Sequence, residues 1–254
     1  MTDIWVITFA ALLGLAVGSF LNVVIHRLPR GESLAWPGSH CPQCQHPLRW
    51  YDNVPAIGYL ALRGRCRYCG MPISPRYLIV ELVTGLLFVG LITLYPPGLL
   101  LAARLLFGCA LIVLFAIDLD HHILPNIITV PGILVGFGLS FFGPPGWRSS
   151  LLGIVLGGGI PFAIAWTYEK VRGHEGLGMG DVKMLAMIGA FLGWPLMLLS
   201  LVLASFTGSI VGAGFIAAGK GARYALPFGT FLAVGALTAV VAGDAIISWY
   251  LSYY

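Results

Sequence analysis

The chain has 254 residues, a formal net charge of +4, 58% hydrophobic residues and only 9% charged ones. Soluble domains carry about a quarter charged residues, so this composition excludes a soluble globular protein. The mean hydropathy of +0.91 points instead to a polytopic membrane protein, and no nucleic-acid partner is expected.

A helix needs about 20 apolar residues to cross a bilayer. In chain order the apolar runs predict spans at 4–26, 78–95, 99–117, 126–142, 150–168, 182–194, 196–217 and 228–252. Only Gly193-Trp194-Pro195 separates the sixth from the seventh. The expected fold is an all-α polytopic membrane protein of about eight transmembrane helices with a small cytoplasmic zinc-binding loop domain. In the first run Asp3 precedes the apolar stretch, while Arg27 and Arg30 follow it. A cleaved signal peptide has the opposite order. The order here predicts an N-terminus outside and a cytoplasmic loop after the first span. With eight alternating spans, segments 27–77, 118–125, 169–183 and 218–227 are cytoplasmic. They hold every Lys and Arg except Arg104 and Arg148, which means 12 of 14. Lys220 and Arg223 are among them.

The first loop contains "CPQCQHPLRWYDNVPAIGYLALRGRCRYCG". Cys41 and Cys44 form one CxxC pair, and Cys66 and Cys69 a second. Tandem knuckles at this spacing point to a closed, structural zinc site of four cysteines; iron in a rubredoxin-like site has the same ligands. Arg63, Arg65 and Arg67 favour thiolate beside the second pair. Two disulfides fit a reducing cytoplasm poorly, and a redox CxxC fits tandem knuckles less well than a metal. His40 and His46 flank the first pair and could stand in for a cysteine. Cys109 reads as a packing residue.

Of ten acids, Asp3, Glu32, Asp52, Glu169 and Glu175 lie in solvated segments. Glu81 opens the second span near Arg76 and reads as one half of an interfacial pair. Arg104 and Asp244 lie at similar heights in their spans and are expected to approach each other. Three acids remain. Asp118 and Asp120 lie in "FAIDLDHHILPNIITV", and Asp181 in "HEGLGMGDVKMLAMIGAFLGWP". The topology puts all three at the cytoplasmic rim. Two carboxylates at one depth can share a proton and activate water, as in an aspartic protease. Gly176, Gly178 and Gly180 leave bare backbone for an extended peptide. A glycine loop with a solvated acid, or small residues for helix packing, explains the same stretch about equally well. The glycines of Gly153–Gly159 carry no acid and read as tight packing. His121 and His122 read as interfacial.

Gly178-Met179-Gly180-Asp181 resembles the GxGD motif of intramembrane aspartic proteases. Asp118 with Pro125-Asn126 resembles the first aspartate motif of type IV prepilin peptidases. Gly18-Ser19-Phe20-Leu21-Asn22-Val23-Val24 with Arg27-Leu28-Pro29, the double CxxC, and "ISPRYLIVELVTG" resemble the bacterial branch of that family. The resemblance covers nearly the whole chain. It implies an inner-membrane enzyme that removes the basic leader of type IV prepilins and type II secretion pseudopilins. The enzyme then N-methylates the new N-terminal residue with S-adenosylmethionine. The catalytic pair carries over to Asp118 and Asp181, with Asp120 the rival for the first role.

The implied division is a first helix at 1–27, a methyltransferase-associated zinc segment at 28–77 and a peptidase bundle at 78–254. No nucleotide fingerprint marks the methyl donor's site; Gly64, Arg65 and Glu81 are places to look. The family often has proline at Thr230, a departure far from the acids in sequence. A peptidase without methyltransfer and a carboxylate-relay transporter are the alternatives. The strongest acid motifs sit at one rim rather than mid-bilayer, which disfavours a relay.

Overall fold

The computed structural model describes residues 3–172, 178–218 and 226–253. Glu175, Gly176, Lys220 and Arg223 therefore lie outside the described residues. The chain divides into two compact units, Met1–Pro96 and Pro97–Tyr254.

In the first unit, α1 (Ile4–Arg27) and α3 (Arg76–Leu94) flank the cysteine-bearing segment, which holds the short α2 (Ile57–Ala61). Glycine spacing sets how α1 and α3 meet. A Cβ at Gly14 would lie 2.8 Å from Gly85 Cα, and one at Gly18 would lie 2.7 Å from Glu81 Cα. One turn on, the Asn22 side-chain amide donates to the Tyr77 carbonyl at 2.9 Å. The pairs 14/85, 18/81 and 22/77 define an antiparallel contact with four residues per step on each helix. This is the close approach that small residues permit where lipid offers no hydrophobic drive.

The second unit contains α4 (Leu99–His121), α5 (Asn126–Leu139), α6 (Trp147–Ile154), α7 (Ile160–Arg172), α8 (Met179–Ala217) and α9 (Phe228–Leu251). Val155–Gly159, of sequence VLGGG, forms a π-helical turn between α6 and α7. The first third of α8 is the centre of the unit, with an unbroken buried run from Met184 to Gly193. Glycines bring its neighbours in. A Cβ at Gly189 would lie 2.3 Å from the Gly153 carbonyl, and one at Gly136 would lie 2.7 Å from the Phe191 ring. Phe107 of α4 stacks on Phe191 with ring centroids 4.7 Å apart.

The 39 residues of α8 would span about 58 Å as one straight helix, roughly twice the hydrocarbon core. The helix breaks at Gly193, whose φ of 77° and ψ of 173° are not helical. A Cβ there would lie 2.4 Å from Ser149 Oγ, so space and backbone both demand glycine. The expected separator between the sixth and seventh apolar runs thus appears as a kink inside one element. Among the described residues, six helical segments are long and apolar enough to cross a membrane, and α5 is a shorter apolar helix. Arg104 is buried, whereas Asp244 lies on an exposed side of α9.

Candidate active site and metal centre

The cysteine segment folds as two copies of one turn, offset by 25 positions. Cys41 N–H donates to the His46 carbonyl and Cys66 N–H to the Met71 carbonyl. Gln45 N–H returns to the Cys41 carbonyl and Gly70 N–H to the Cys66 carbonyl. Short bridges, His40 with Pro47 and Arg65 with Pro72, close each turn. The sequence of both copies reads CxxCxxP. The fifth residue of each turn adopts positive φ, 57° at Gln45 and 69° at Gly70.

This duplication brings all four sulfurs within 4.8 Å of one another. Cys41 and Cys69 Sγ are 3.9 Å apart, and Cys44 and Cys66 Sγ are 4.0 Å apart. Tetrahedral zinc with bonds of about 2.3 Å requires sulfur–sulfur edges of about 3.8 Å. A disulfide would bring the atoms to about 2.05 Å, and all five cysteines are free. The donor set therefore fits a tetrahedral ion. The N–H groups of Cys69 and Tyr68 pull the Cys66 thiol down to about 6. At Cys69 the Met71 N–H favours thiolate, but burial and the neighbouring sulfurs outweigh it and push that thiol up to about 11. A divalent cation would remove this conflict by neutralising the crowded sulfurs. His40 and His46 stay outside the cluster of donor atoms.

A second layer ties the knuckles to the helices. Arg67, inside the second CxxC, pairs with the buried Asp52 at 2.6 Å, and its Nε also donates to that carboxylate. Asp52 is therefore an internal partner of the module rather than a solvated acid. Glu81 is buried in α3, and its Oε2 accepts the Ala56 N–H at 2.7 Å. The interfacial pairing expected for Glu81 misses this backbone partner. Arg27 is buried at the end of α1 and donates to the carbonyls of Ser33, Pro37 and Gly38.

In the second unit the acid motifs converge at one end. Asp118 lies in the last turn of α4, where the left-handed His122 caps the helix through the Asp118 carbonyl. Its side chain is buried, and its Oδ2 accepts the Thr230 N–H from the first turn of α9 at 2.8 Å. Asp120, two residues on, is exposed. Asp181 is half-buried in the first turn of α8. Two contacts bring the α8 start to the Asp118 region, and a third brings the start of α9 there. Lys183 Nζ donates to Asn126 Oδ1 at 2.8 Å. A Cβ at Gly180 would lie 3.1 Å from Leu124 Cβ. A Cβ at Gly229 would lie 2.9 Å from Leu124 Cδ1 and 2.8 Å from Asp118 Oδ2. Leu124 is thus shared by the Asp181-bearing and Asp118-bearing ends. Gly178 has its own reason: a Cβ there would lie 3.1 Å from Asp181 Oδ2. Thr230 and Leu124 are not legible as site residues in the sequence, because one acts through its backbone and the other through bulk.

Comparison with known proteins covers both units. Residues 12–95 match the bacterial peptidase A24 N-terminal domain, and residues 105–213 match the type IV leader peptidase family. A prepilin leader peptidase/N-methyltransferase from Myxococcus xanthus is 46% identical over 205 residues, covering 80% of this chain. That alignment spans 61% of the Myxococcus protein's length. The protein of that name from Burkholderia pseudomallei strain 1026b is 39% identical over 90% of this chain and 83% of its own. The one from Aeromonas hydrophila is 36% identical over 96% of this chain and 93% of its own. No solved structure matches. With both halves matched in order and the two aspartate motifs meeting in space, the chain belongs to the type IV prepilin leader peptidase family, the A24 peptidases.

Proposed function

We propose that this chain is a bacterial inner-membrane prepilin leader peptidase and N-methyltransferase in which Asp118 and Asp181 are the catalytic pair. The observation that carries this reading is the Leu124 contact shared by Gly180 and Gly229, which puts both acid-bearing ends at one end of the second unit. An ionised carboxylate of the pair takes a proton from water. The water oxygen attacks the scissile carbonyl, and the protonated partner donates to the carbonyl oxygen. The tetrahedral intermediate then collapses with proton transfer to the leaving amine. Asp118, buried on the Thr230 N–H, suits a fixed role, and Asp181 beside bare glycine backbone suits the peptide side. The pairing of Lys183 with Asn126 holds the two motifs in register.

Substrates are type IV prepilins and type II secretion pseudopilins, helices inserted with a basic leader on the cytoplasmic side. The two parts of α8 on either side of Gly193 each cross the membrane, giving eight crossings with the N-terminus outside. On this topology the cysteine module and both aspartates would lie on the cytoplasmic side of the membrane, where the leader is. Cys41, Cys44, Cys66 and Cys69 would hold zinc, whose contribution is cross-linking a segment with little apolar core. S-adenosylmethionine would supply the methyl group for the exposed amine.

The test is cleavage of a purified prepilin in detergent by the wild type and by Asp118→Asn and Asp181→Asn variants. The expected result is no cleavage by either variant, with methyl transfer to a pre-cut pilin preserved. Full cleavage by Asp118→Asn with loss in Asp120→Asn would move the first role to Asp120.

A further inference from the structure

The two sides of α2 differ. Gly58 is buried, and a Cβ there would lie 2.3 Å from the Asp52 carbonyl oxygen. Ile57 and Leu60, three residues apart and so on one face, are 65% and 63% exposed. The backbone fixes the depth of that face. Ala56, immediately before α2, has a φ of 57°, a conformation costly for any residue with a Cβ, and its N–H is bound to Glu81. Glu81 lies five residues into α3, about 7.5 Å from its start. Exposed apolar side chains of α3 begin before it, at Ile79, and continue through Leu82, Val83 and Leu86. A segment bound to Glu81 therefore sits where α3 already presents hydrocarbon to its surroundings.

A second observation concerns the end of α1. Arg27 gathers the Ser33, Pro37 and Gly38 carbonyls against the helix end. This holds Trp36, 78% exposed, at the level where α1 stops. Tryptophan favours the membrane–water boundary. Arg30, Arg63 and Arg65 are exposed close by in sequence, and such residues suit anionic headgroups.

We propose that the Ile57–Leu60 face of α2 is a lipid-inserting wedge, with Trp36 as a second anchor. It would be seated in the headgroup–acyl boundary of the leaflet where α1 ends and α3 begins. The occupant of this face is the bilayer, not a second protein. The wedge seats the metal module on the membrane surface and fixes its height relative to a membrane-held substrate. This last consequence rests on the proposed activity; the wedge itself does not.

The test uses the full chain in nanodiscs of phosphatidylethanolamine and phosphatidylglycerol. A benzophenone amino acid replaces Ile57, Leu60 or, as control, the exposed Gln43, and adducts are read by mass spectrometry after irradiation. Lipid adducts at 57 and 60 but not at 43 are expected. Adducts to protein, or none, at 57 and 60 would overturn the proposal. Hydroxyl-radical footprinting of the unmodified chain needs no substitution. After correction for intrinsic reactivity, Ile57 and Leu60 should be oxidised at least fivefold less than Met71 in nanodiscs. Equal oxidation would overturn the wedge regardless of how the variants fold, and neither readout depends on peptidase activity.

Discussion

The carboxylate of Asp118 is held by the backbone N–H of Thr230, 112 residues away in sequence and 2.8 Å away in space. A proline at 230 cannot make this bond, and the first turn of a helix otherwise tolerates proline. A hydrogen bond to a charged group contributes about 1.5–3 kcal/mol. Thr230→Ala, which keeps the N–H, should cleave prepilin at close to the wild-type rate. Thr230→Pro removes the N–H but installs the residue the family often carries here, so it should fold by circular dichroism and lower kcat by no more than about tenfold. Equal rates for the two variants would show that the bond does not position Asp118.

Asp118→Asn and Asp181→Asn should each lower cleavage by about 10³-fold or more, the scale on which a general acid or base acts. Asp120→Asn, altering an exposed side chain, should stay within about threefold of wild type by the same scale. The readout is single-turnover cleavage of a prepilin peptide in detergent.

The cysteine module should bind one zinc per chain, measurable by elemental mass spectrometry. Metal binding needs thiolates, so occupancy must fall with acid. Cys66, lowered to about 6, stays thiolate above that pH. Its favourable contribution to the metal-free module is therefore complete only above the ordinary thiol range near 9, and is lost as pH falls through about 6. Zinc release on acidification, monitored with a chromophoric chelator, should occur below that pH, because bound zinc holds the thiolates against protons. Cys44→Ser should lose the metal at neutral pH, and a metal content equal to wild type would argue against a four-sulfur site.

Gly189 lies against the Gly153 backbone with no room for a Cβ. Gly189→Val should destabilise the second unit by about 1–3 kcal/mol through overpacking, seen as a lower Tm. It should also slow cleavage, although it lies eight residues from Asp181, because the helix carrying the acid is displaced. An unchanged Tm would mean that α6 can move aside.

The membrane-spanning pattern is legible because hydropathy is a bulk property and survives without partners. The four cysteines are legible because metal-ligand spacing is local. The sequence also contains the second CxxCxxP copy, but its meaning lies in the backbone hydrogen bonds that repeat at the same offset. Thr230 looks remote because its distance from the acids is counted along the chain. A backbone donor leaves no side-chain signature. Asp52 and Glu81 read as solvated or interfacial because a lone acid in a polar segment looks the same whether it faces water or a buried N–H. Gly14 and Gly18 look like ordinary members of an apolar run. Their spacing of four becomes informative only once Glu81 and Gly85 are seen to have the same spacing on the facing helix.

The break at Gly193 has a mechanical consequence. That end of the Asp181 segment is wedged against Ser149 and Pro145, and Gly189 is pressed on Gly153. The far end of the segment is thereby pinned, while Asp181 sits at the other. The arm from Gly193 to Asp181 is about 18 Å long. Because Met184–Gly193 is buried throughout, this arm moves together with its neighbours, and the height of Asp181 is set by packing about 18 Å away from it.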